Sequence, residues 1–207
     1  MVSSYDSARA AGLAAHFVSH STWQVPTLVL LRYLQTSDES HWVTDARLKY
    51  VPVNLQRKWE QDRQAFLSGR SVENLAGWKV FFERNEELVR PFWLGGVRFL
   101  AGTDAGPYIF PGSSLHEELA LLVQFGLSPM DTIQSATSAA AAFLGKSREL
   151  GTVEVGKDAD LLLLDADPLA DIHNTQKIAG VVLDGKYLSR EELDRMLRQV
   201  EAAAQRQ

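Results

Sequence analysis

The feature that most constrains this chain is an apolar run that ends in a glycine-flanked aspartate. The run is Val97-Arg98-Phe99-Leu100-Ala101, and Gly102-Thr103-Asp104-Ala105-Gly106 follows it directly. A short apolar run of this kind predicts a buried strand over 97–102. Ligands and catalytic groups collect at the carboxyl ends of strands in parallel α/β folds, so Asp104 can bind a metal, hold a water molecule or take its proton. A plain aspartate–glycine turn is the alternative interpretation.

The remaining pattern alternates helices and strands as far as residue 143 and then changes to short strands. Predicted helices cover 4–20, 71–90, 115–125 and 129–143, and predicted strands cover 24–31 and 97–102. The polar segment 36–62 predicts a long loop with short helices. Beyond Gly151 we expect two strands joined by the Gly156-Lys157-Asp158 turn, a hairpin over 178–188 and a helix over 190–206. This order predicts the end of a (β/α) barrel and part of a small β domain.

Composition excludes several classes of partner. The 207 residues are 45% hydrophobic and 23% charged, as in an ordinary soluble globular protein. A net charge of -5 argues against nucleic acid and anionic membranes as partners. No cysteine is present, which removes disulfides and thiolate metal ligands. No apolar run approaches the roughly 20 residues that span a bilayer, and no signal peptide is visible.

Further motifs follow Asp104 in a defined order. They are Pro111-Gly112-Ser113-Ser114-Leu115-His116-Glu117-Glu118-Leu119, Phe125-Gly126-Leu127-Ser128-Pro129, Ser135-Ala136-Thr137-Ser138, Gly145, the segment 150–161, Asp167-Pro168-Leu169 and Asp184-Gly185. In this order they resemble the C-terminal half of the amidohydrolase superfamily, with the imidazolonepropionase-like and dipeptidase-like enzymes as the nearest branch. The upstream segment 23–28 is similar to that branch's seventh barrel strand. The resemblance covers about residues 5–188 and is least diagnostic over 36–95.

The resemblance implies an α/β fold class. We expect the C-terminal part of a (β/α)₈ TIM-type barrel over 1–148, part of a small, composite β-sandwich domain over 149–189 and a C-terminal helix over 190–207. A complete barrel takes about 250 residues, and only 103 precede Asp104. We therefore expect a fragment of a longer enzyme with a missing N-terminal segment. A truncated, non-catalytic remnant or interaction module that needs a partner chain is the alternative.

The resemblance also implies a chemistry, namely metal-dependent hydrolysis of carbon–nitrogen bonds in cyclic or dipeptide-like amides. By this resemblance, the ligands of the metal centre are a His-x-His pair after strand one, a lysine or glutamate after strand four, histidines after strands five and six, and an aspartate after strand eight. Only the aspartate can be carried over, onto Asp104, as metal ligand and general base. The intact enzyme would then use a divalent metal, with zinc expected, and this chain alone would hold none tightly. His116, Thr103 and Tyr108 would contact the small-molecule substrate.

Each of these residues has a structural alternative. Asp104 could be a loop carboxylate bound by backbone N–H groups, and His116 could pack against the loop as a helix-start residue. Glu117 and Glu118 suit the first turn of a helix and are interpreted as structural. Two further patterns are also interpreted as structural. They are the i, i+4 pair His16 and His20, for which no third ligand is obvious, and the Asp158-Ala159-Asp160 segment.

Overall fold

The computed structural model describes residues 5–206, apart from the side chains of Val72 and Glu86. Its helices are α1 (Ser7–Ser19), α2 (Leu28–Thr36), α3 (Val53–Ser68), α4 (Val72–Leu94), α5 (Ser113–Gln124), α6 (Pro129–Ser135), α7 (Ser138–Phe143) and α8 (Arg190–Ala204). Its strands are β1 (Trp23–Gln24), β2 (Arg98–Phe99), β3 (Leu161–Leu164), β4 (Ile178–Leu183) and β5 (Lys186–Ser189), and 3₁₀ helices cover Ser40–Thr44, Ala46–Tyr50 and Ile172–Gln176. No helix in this described range is long and apolar enough to cross a lipid bilayer.

The two expected barrel strands are adjacent and parallel. Trp23 of β1 lies opposite Arg98 of β2, and Gln24 lies opposite Phe99. The N–H of Leu100 donates to the carbonyl of Gln24 over 2.9 Å and extends the ladder by one bond. Because the strands run in the same direction, their carboxyl ends meet at one edge, where the Asp104 loop begins.

The prediction of a strand over 24–31 is wrong beyond Gln24. The backbone of Thr27 turns with a φ of 47°, and α2 begins at Leu28. A four-residue apolar run cannot distinguish a buried strand from a buried helix. Here Leu28, Val29 and Tyr33 form the buried face of a helix that continues into residues with high helix propensity.

The polar segment 36–62 is more helical than its composition suggests. The 3₁₀ helices at 40–44 and 46–50 agree with the predicted short helices, but α3 replaces the predicted loop from Val53 onward. Trp59 and Arg63, one helical turn apart, are the buried residues of α3. An arginine at a buried position hides the amphipathic pattern from sequence reasoning, because arginine normally indicates the solvent-exposed face.

The prediction of a helix over 71–90 is confirmed and extended. Ser71 caps α4, its side chain accepting the N–H of Asn74, and the helix continues to Leu94. α5 agrees with the predicted helix over 115–125. The predicted helix over 129–143 is interrupted between Ser135 and Ser138, so it forms α6 and α7. Asp6 caps α1, its side chain accepting the backbone N–H groups of Ala8 and Arg9.

The segment 149–189 contains one antiparallel sheet, in the order β3-β4-β5. The predicted hairpin over 178–188 is confirmed, with Leu183 opposite Lys186. The predicted first strand after Gly151 is wrong: Val153 and Val155 are largely solvent-exposed, and no strand lies beside them in the described chain to complete a ladder. The described residues do not confirm the second layer of a β-sandwich, which stays a prediction, as do the domain boundaries at 148 and 189.

Candidate active site

The loop of residues 100–112 leaves the carboxyl end of β2 and contains three of the four predicted site residues. Its first turn packs against Val25, the residue that follows β1, because a Cβ atom at Gly102 would come within 2.5 Å of Val25 Cγ1. A larger residue at position 102 would therefore require the Val25 side chain to shift. At the other end, Gly112 has a φ of 84° and precedes the first residue of α5.

Asp104 lies in the exposed part of this loop. It is solvent-exposed and has a φ of 48°, in the left-handed region that few residues other than glycine, asparagine and aspartate adopt. Thr103 beside it is half-buried. The structure thus places Asp104 beyond the carboxyl end of a parallel strand, with its side chain accessible to solvent.

Tyr108 is buried, although it lies only four residues after Asp104. Its side chain is 3% exposed and its hydroxyl donates to Glu60 Oε2 over 2.9 Å. Its ring lies 5.7 Å from that of Tyr33 and 5.6 Å from that of Trp59, measured between centroids. We call Tyr33, Trp42, Trp59 and Tyr108 the aromatic cluster. These are the contacts of a core residue, whereas the sequence suggested a substrate contact.

Sequence reasoning did not identify the Glu60–Arg63 pair that holds Tyr108. Arg63 donates to both carboxylate oxygens of Glu60 over 2.8 and 2.9 Å and to the carbonyl of Ser37 over 2.7 Å. The hydrogen bonds from Arg63 lower the pKa of Glu60 to about 2. Burial and the Glu60 carboxylate raise the pKa of Tyr108. The i, i+3 spacing of a glutamate and an arginine on α3 was the available signal.

His116 connects α5 to the 3₁₀ helix at 172–176. Its Nδ1 lies 3.0 Å from the hydroxyl of Thr175, and that hydroxyl donates to the carbonyl of Ile172 over 2.8 Å. Because the hydroxyl has a single proton, it accepts from His116, whose Nδ1 is then protonated and whose Nε2 is an acceptor. Burial lowers the pKa of His116, so the ring is neutral at pH 7.

Glu117 and Glu118 both have structural contacts, as the sequence predicted. Glu117 forms ion pairs with Arg32 and Arg47, and Arg47 also binds Asp45 through its Nη2 over 2.6 Å. These four residues line a cleft of about 350 Å³, in which their charges are mutually compensated. The cleft therefore offers no net charge to a ligand.

Glu118 is fully buried, and one of its carboxylate oxygens accepts the N–H of Val29 over 2.8 Å. That N–H belongs to the first turn of α2 and has no partner within the helix. Burial raises the pKa of Glu118 to about 7. The side chain thus joins the start of α2 to α5, which begins directly after the Asp104 loop.

No complete metal site is formed within residues 5–206. This range contains no group of three or more His, Cys, Asp or Glu side chains arranged to share an ion. The ring centroids of His16 and His20 lie 4.1 Å apart with the rings tilted by 39°, and both residues are solvent-exposed at the C-terminal end of α1. Asp160 accepts the backbone N–H of Asp184 over 2.7 Å, which supports its structural interpretation.

The chain is similar in sequence and in fold to known proteins. The model of the Amidohydrolase family matches residues 50–188. The imidazolonepropionase of Sphingopyxis alaskensis is 34% identical over 122 residues, which cover 58% of this chain and 30% of that protein. The bottromycin amidohydrolase structure has a TM-score of 0.69 and 25% identity, and covers 88% of this chain and 40% of its own. A putative prolidase from Bifidobacterium longum has a TM-score of 0.53 and 31% identity, with coverages of 65% and 35%.

The matched region includes the whole Asp104 loop and α5. The chain spans less than a third of the length of the imidazolonepropionase that it matches. The fold neighbours are larger as well, since the chain covers 40% of the bottromycin amidohydrolase. The family match extends over more than half of the chain and agrees with the named relatives and with the fold, so the chain belongs to the amidohydrolase family.

Proposed function

We propose that this chain is the part of a hydrolase of carbon–nitrogen bonds that supplies the catalytic carboxylate, Asp104. The observation that supports this role is the position of Asp104, exposed in a loop directly after the carboxyl end of a parallel strand, within the region that matches the family. A carboxylate there can take the proton of a water molecule that attacks an amide carbonyl. The same group can later return that proton to the leaving nitrogen.

A divalent metal, with zinc expected, is part of the proposal for the whole enzyme. Such a metal polarises the carbonyl and lowers the pKa of water. Catalytic zinc usually takes about three protein ligands, and the described residues offer Asp104 without a cluster around it. The residues of 5–206 therefore do not fit a complete centre, and further ligands would come from outside this range.

The proposed substrate is a small cyclic amide or a dipeptide-like amide. A relative named imidazolonepropionase supports the first class, and the fold neighbour described as a putative prolidase supports the second. Thr103, half-buried beside Asp104, remains a candidate substrate contact. His116 could meet a substrate only through Nε2, because Nδ1 is bound to Thr175.

The test is an activity assay on the longest protein that the gene encodes around this sequence. Purified protein supplied with zinc would be offered imidazolonepropionate and a dipeptide ending in proline, and the loss of each would be followed by chromatography. Hydrolysis of either substrate that is abolished by a chelator and restored by zinc supports the proposal. A full-length, zinc-loaded protein that hydrolyses neither would favour the non-catalytic alternative.

A further inference from the structure

We infer that Tyr108 is a positioning residue for Asp104: bound to Glu60, it holds the loop in the conformation that presents the carboxylate. This inference rests on the proposed function, since it takes Asp104 as the group that must be positioned. The geometry that points to it lies between the two residues. Both have a positive φ, 48° at Asp104 and 62° at Tyr108, and only three residues separate them.

The backbone around Tyr108 forms a turn that tyrosine does not favour. The N–H of Ile109 donates to the carbonyl of Gly106 over 3.0 Å, which closes a four-residue turn with Pro107 in its second position. Proline in the second position and a positive φ in the third are typical of a type II turn, whose third position prefers glycine or asparagine. A left-handed conformation is unfavourable for a residue with a Cβ atom, so surrounding contacts must stabilise Tyr108 there.

Those contacts come from a segment distant in sequence. The hydroxyl of Tyr108 donates to Glu60 on α3, 48 residues away, and the ring packs among the other members of the aromatic cluster. Glu60 is itself fixed by two hydrogen bonds from the buried Arg63. A charged acceptor makes the tyrosine bond stronger than one between neutral groups.

The bond is independent of pH over the range in which an enzyme works. The Arg63 hydrogen bonds keep the pKa of Glu60 at about 2, and burial raises that of Tyr108. The acceptor therefore remains charged and the donor remains protonated. Strained backbone that the surroundings hold in place is frequent at functional sites, where it fixes the geometry of reacting groups.

For a tyrosine that only fills the core, loss of the hydroxyl would leave the loop of residues 100–112 unchanged. Tyr33 provides the comparison, because its ring stacks on Tyr108 and is also buried, at 8% exposure, but it lies on α2 rather than in the loop. Removing either hydroxyl leaves both rings in place. Only the removal of the Tyr108 hydroxyl breaks the bond between the loop and α3.

The experiment is hydrogen exchange measured by mass spectrometry on peptides that cover residues 100–112. It compares the full-length protein with its Tyr108→Phe and Tyr33→Phe variants. We expect faster exchange in this loop for Tyr108→Phe, with α5 and β4 unchanged as internal references, and no change in the loop for Tyr33→Phe. Unchanged loop exchange in Tyr108→Phe, or equal acceleration in Tyr33→Phe, would overturn the inference.

Glu60→Gln is a second variant that keeps the test decisive if Tyr108→Phe does not fold. It replaces the charged acceptor with a neutral one, so the loop should exchange faster than in the unchanged full-length protein. A folded Glu60→Gln chain with an unchanged loop would also contradict the inference. The exchange readout does not require activity, so its failure is distinct from a failure of the proposed function. In an active full-length enzyme, Tyr108→Phe should lower kcat while leaving KM nearly unchanged.

Discussion

Neighbouring carboxylates in this protein differ in their tasks because their surroundings differ. Glu117 and Glu118 are adjacent in α5, yet Glu117 is paired with two arginines whereas Glu118 is buried against the first turn of α2. The second carboxylate oxygen of Glu118 is buried and has no hydrogen-bond partner among the described residues. A buried charge with one unsatisfied oxygen is costly, and this cost makes the protonated form more favourable.

The residue-scale prediction is that Glu118 makes stability fall as the pH rises from about 4.5 to about 7. Its pKa is raised from an ordinary 4.5 to about 7, so the native state holds the proton more tightly than the unfolded chain does. The contribution of the protonated form is complete below pH 4.5 and is lost as the pH rises through about 7. A shift of this size corresponds to about 3 kcal/mol in the free energy of unfolding.

Urea unfolding of the full-length protein and of its Glu118→Gln variant at several pH values measures this effect. Glutamine keeps an oxygen for the N–H of Val29 but does not titrate, so the difference between the two free energies isolates Glu118. Other groups, including His116, whose lowered pKa has the opposite effect, cancel in this difference. A difference that stays constant between pH 4.5 and 8 would show that Glu118 does not titrate in this window.

At the scale of elements, the sequence predicts the amphipathic helices well and the apolar run at 28–31 poorly. α1, α4, α5 and α8 lie close to the ranges predicted for them. The run at 28–31 is different, because its first-turn N–H is satisfied by a carboxylate 89 residues away. A local pattern does not contain that contact, and the sequence therefore could not decide between strand and helix there.

The candidate site likewise combines features that a local sequence pattern predicts with features that depend on contacts distant in sequence. The position of Asp104 after β2 was predictable because it depends on a local pattern, an apolar run followed by glycines. The burial of Tyr108 was not, because it depends on Glu60 and on rings from α2 and α3 that meet it only in the folded chain. Likewise, nothing local to His116 indicates its bond to Thr175.

The element-scale prediction concerns the start of α8. Ser189 and Glu192 form a capping box, in which each side chain accepts the backbone N–H of the other residue. Ser189→Ala removes one of these bonds and should lower the free energy of unfolding by about 1 kcal/mol. Thermal and urea unfolding of the full-length protein measure the change. Gln199→Ala, an exposed substitution on the same helix, is the matched control and should have almost no effect; equal losses in both variants would contradict the capping role.

At the scale of the whole molecule, large apolar side chains remain at the surface of the described structure. Leu94 is 74% exposed, Leu144 is 65% exposed and Val153 is 83% exposed. In addition, β1 and β2 form a sheet of only two strands, whose outer edges have no neighbour among residues 5–206. Unpaired edges and exposed apolar groups favour association.

We therefore predict that the isolated 207-residue chain forms an oligomer, an aggregate or a partly molten species. Light scattering coupled to size-exclusion chromatography, over a range of protein concentrations, measures its mass. Near-ultraviolet circular dichroism reports whether the five tryptophans are fixed in place. A monodisperse monomer that melts cooperatively would contradict this prediction.

The central claim is that Asp104 is the catalytic carboxylate of a carbon–nitrogen hydrolase, and the most direct measurement is kcat for Asp104→Asn in the full-length, metal-loaded enzyme. Asparagine has the shape of aspartate but cannot accept a proton from water at neutral pH. Asp158→Asn, the same change at another exposed aspartate, is the control. We predict a loss of about 10²–10⁴-fold or more for Asp104→Asn, with an unchanged melting temperature and with normal activity in the control. An Asp104→Asn enzyme that retains more than about a tenth of the original kcat, well above what loss of a general base allows, would contradict the claim.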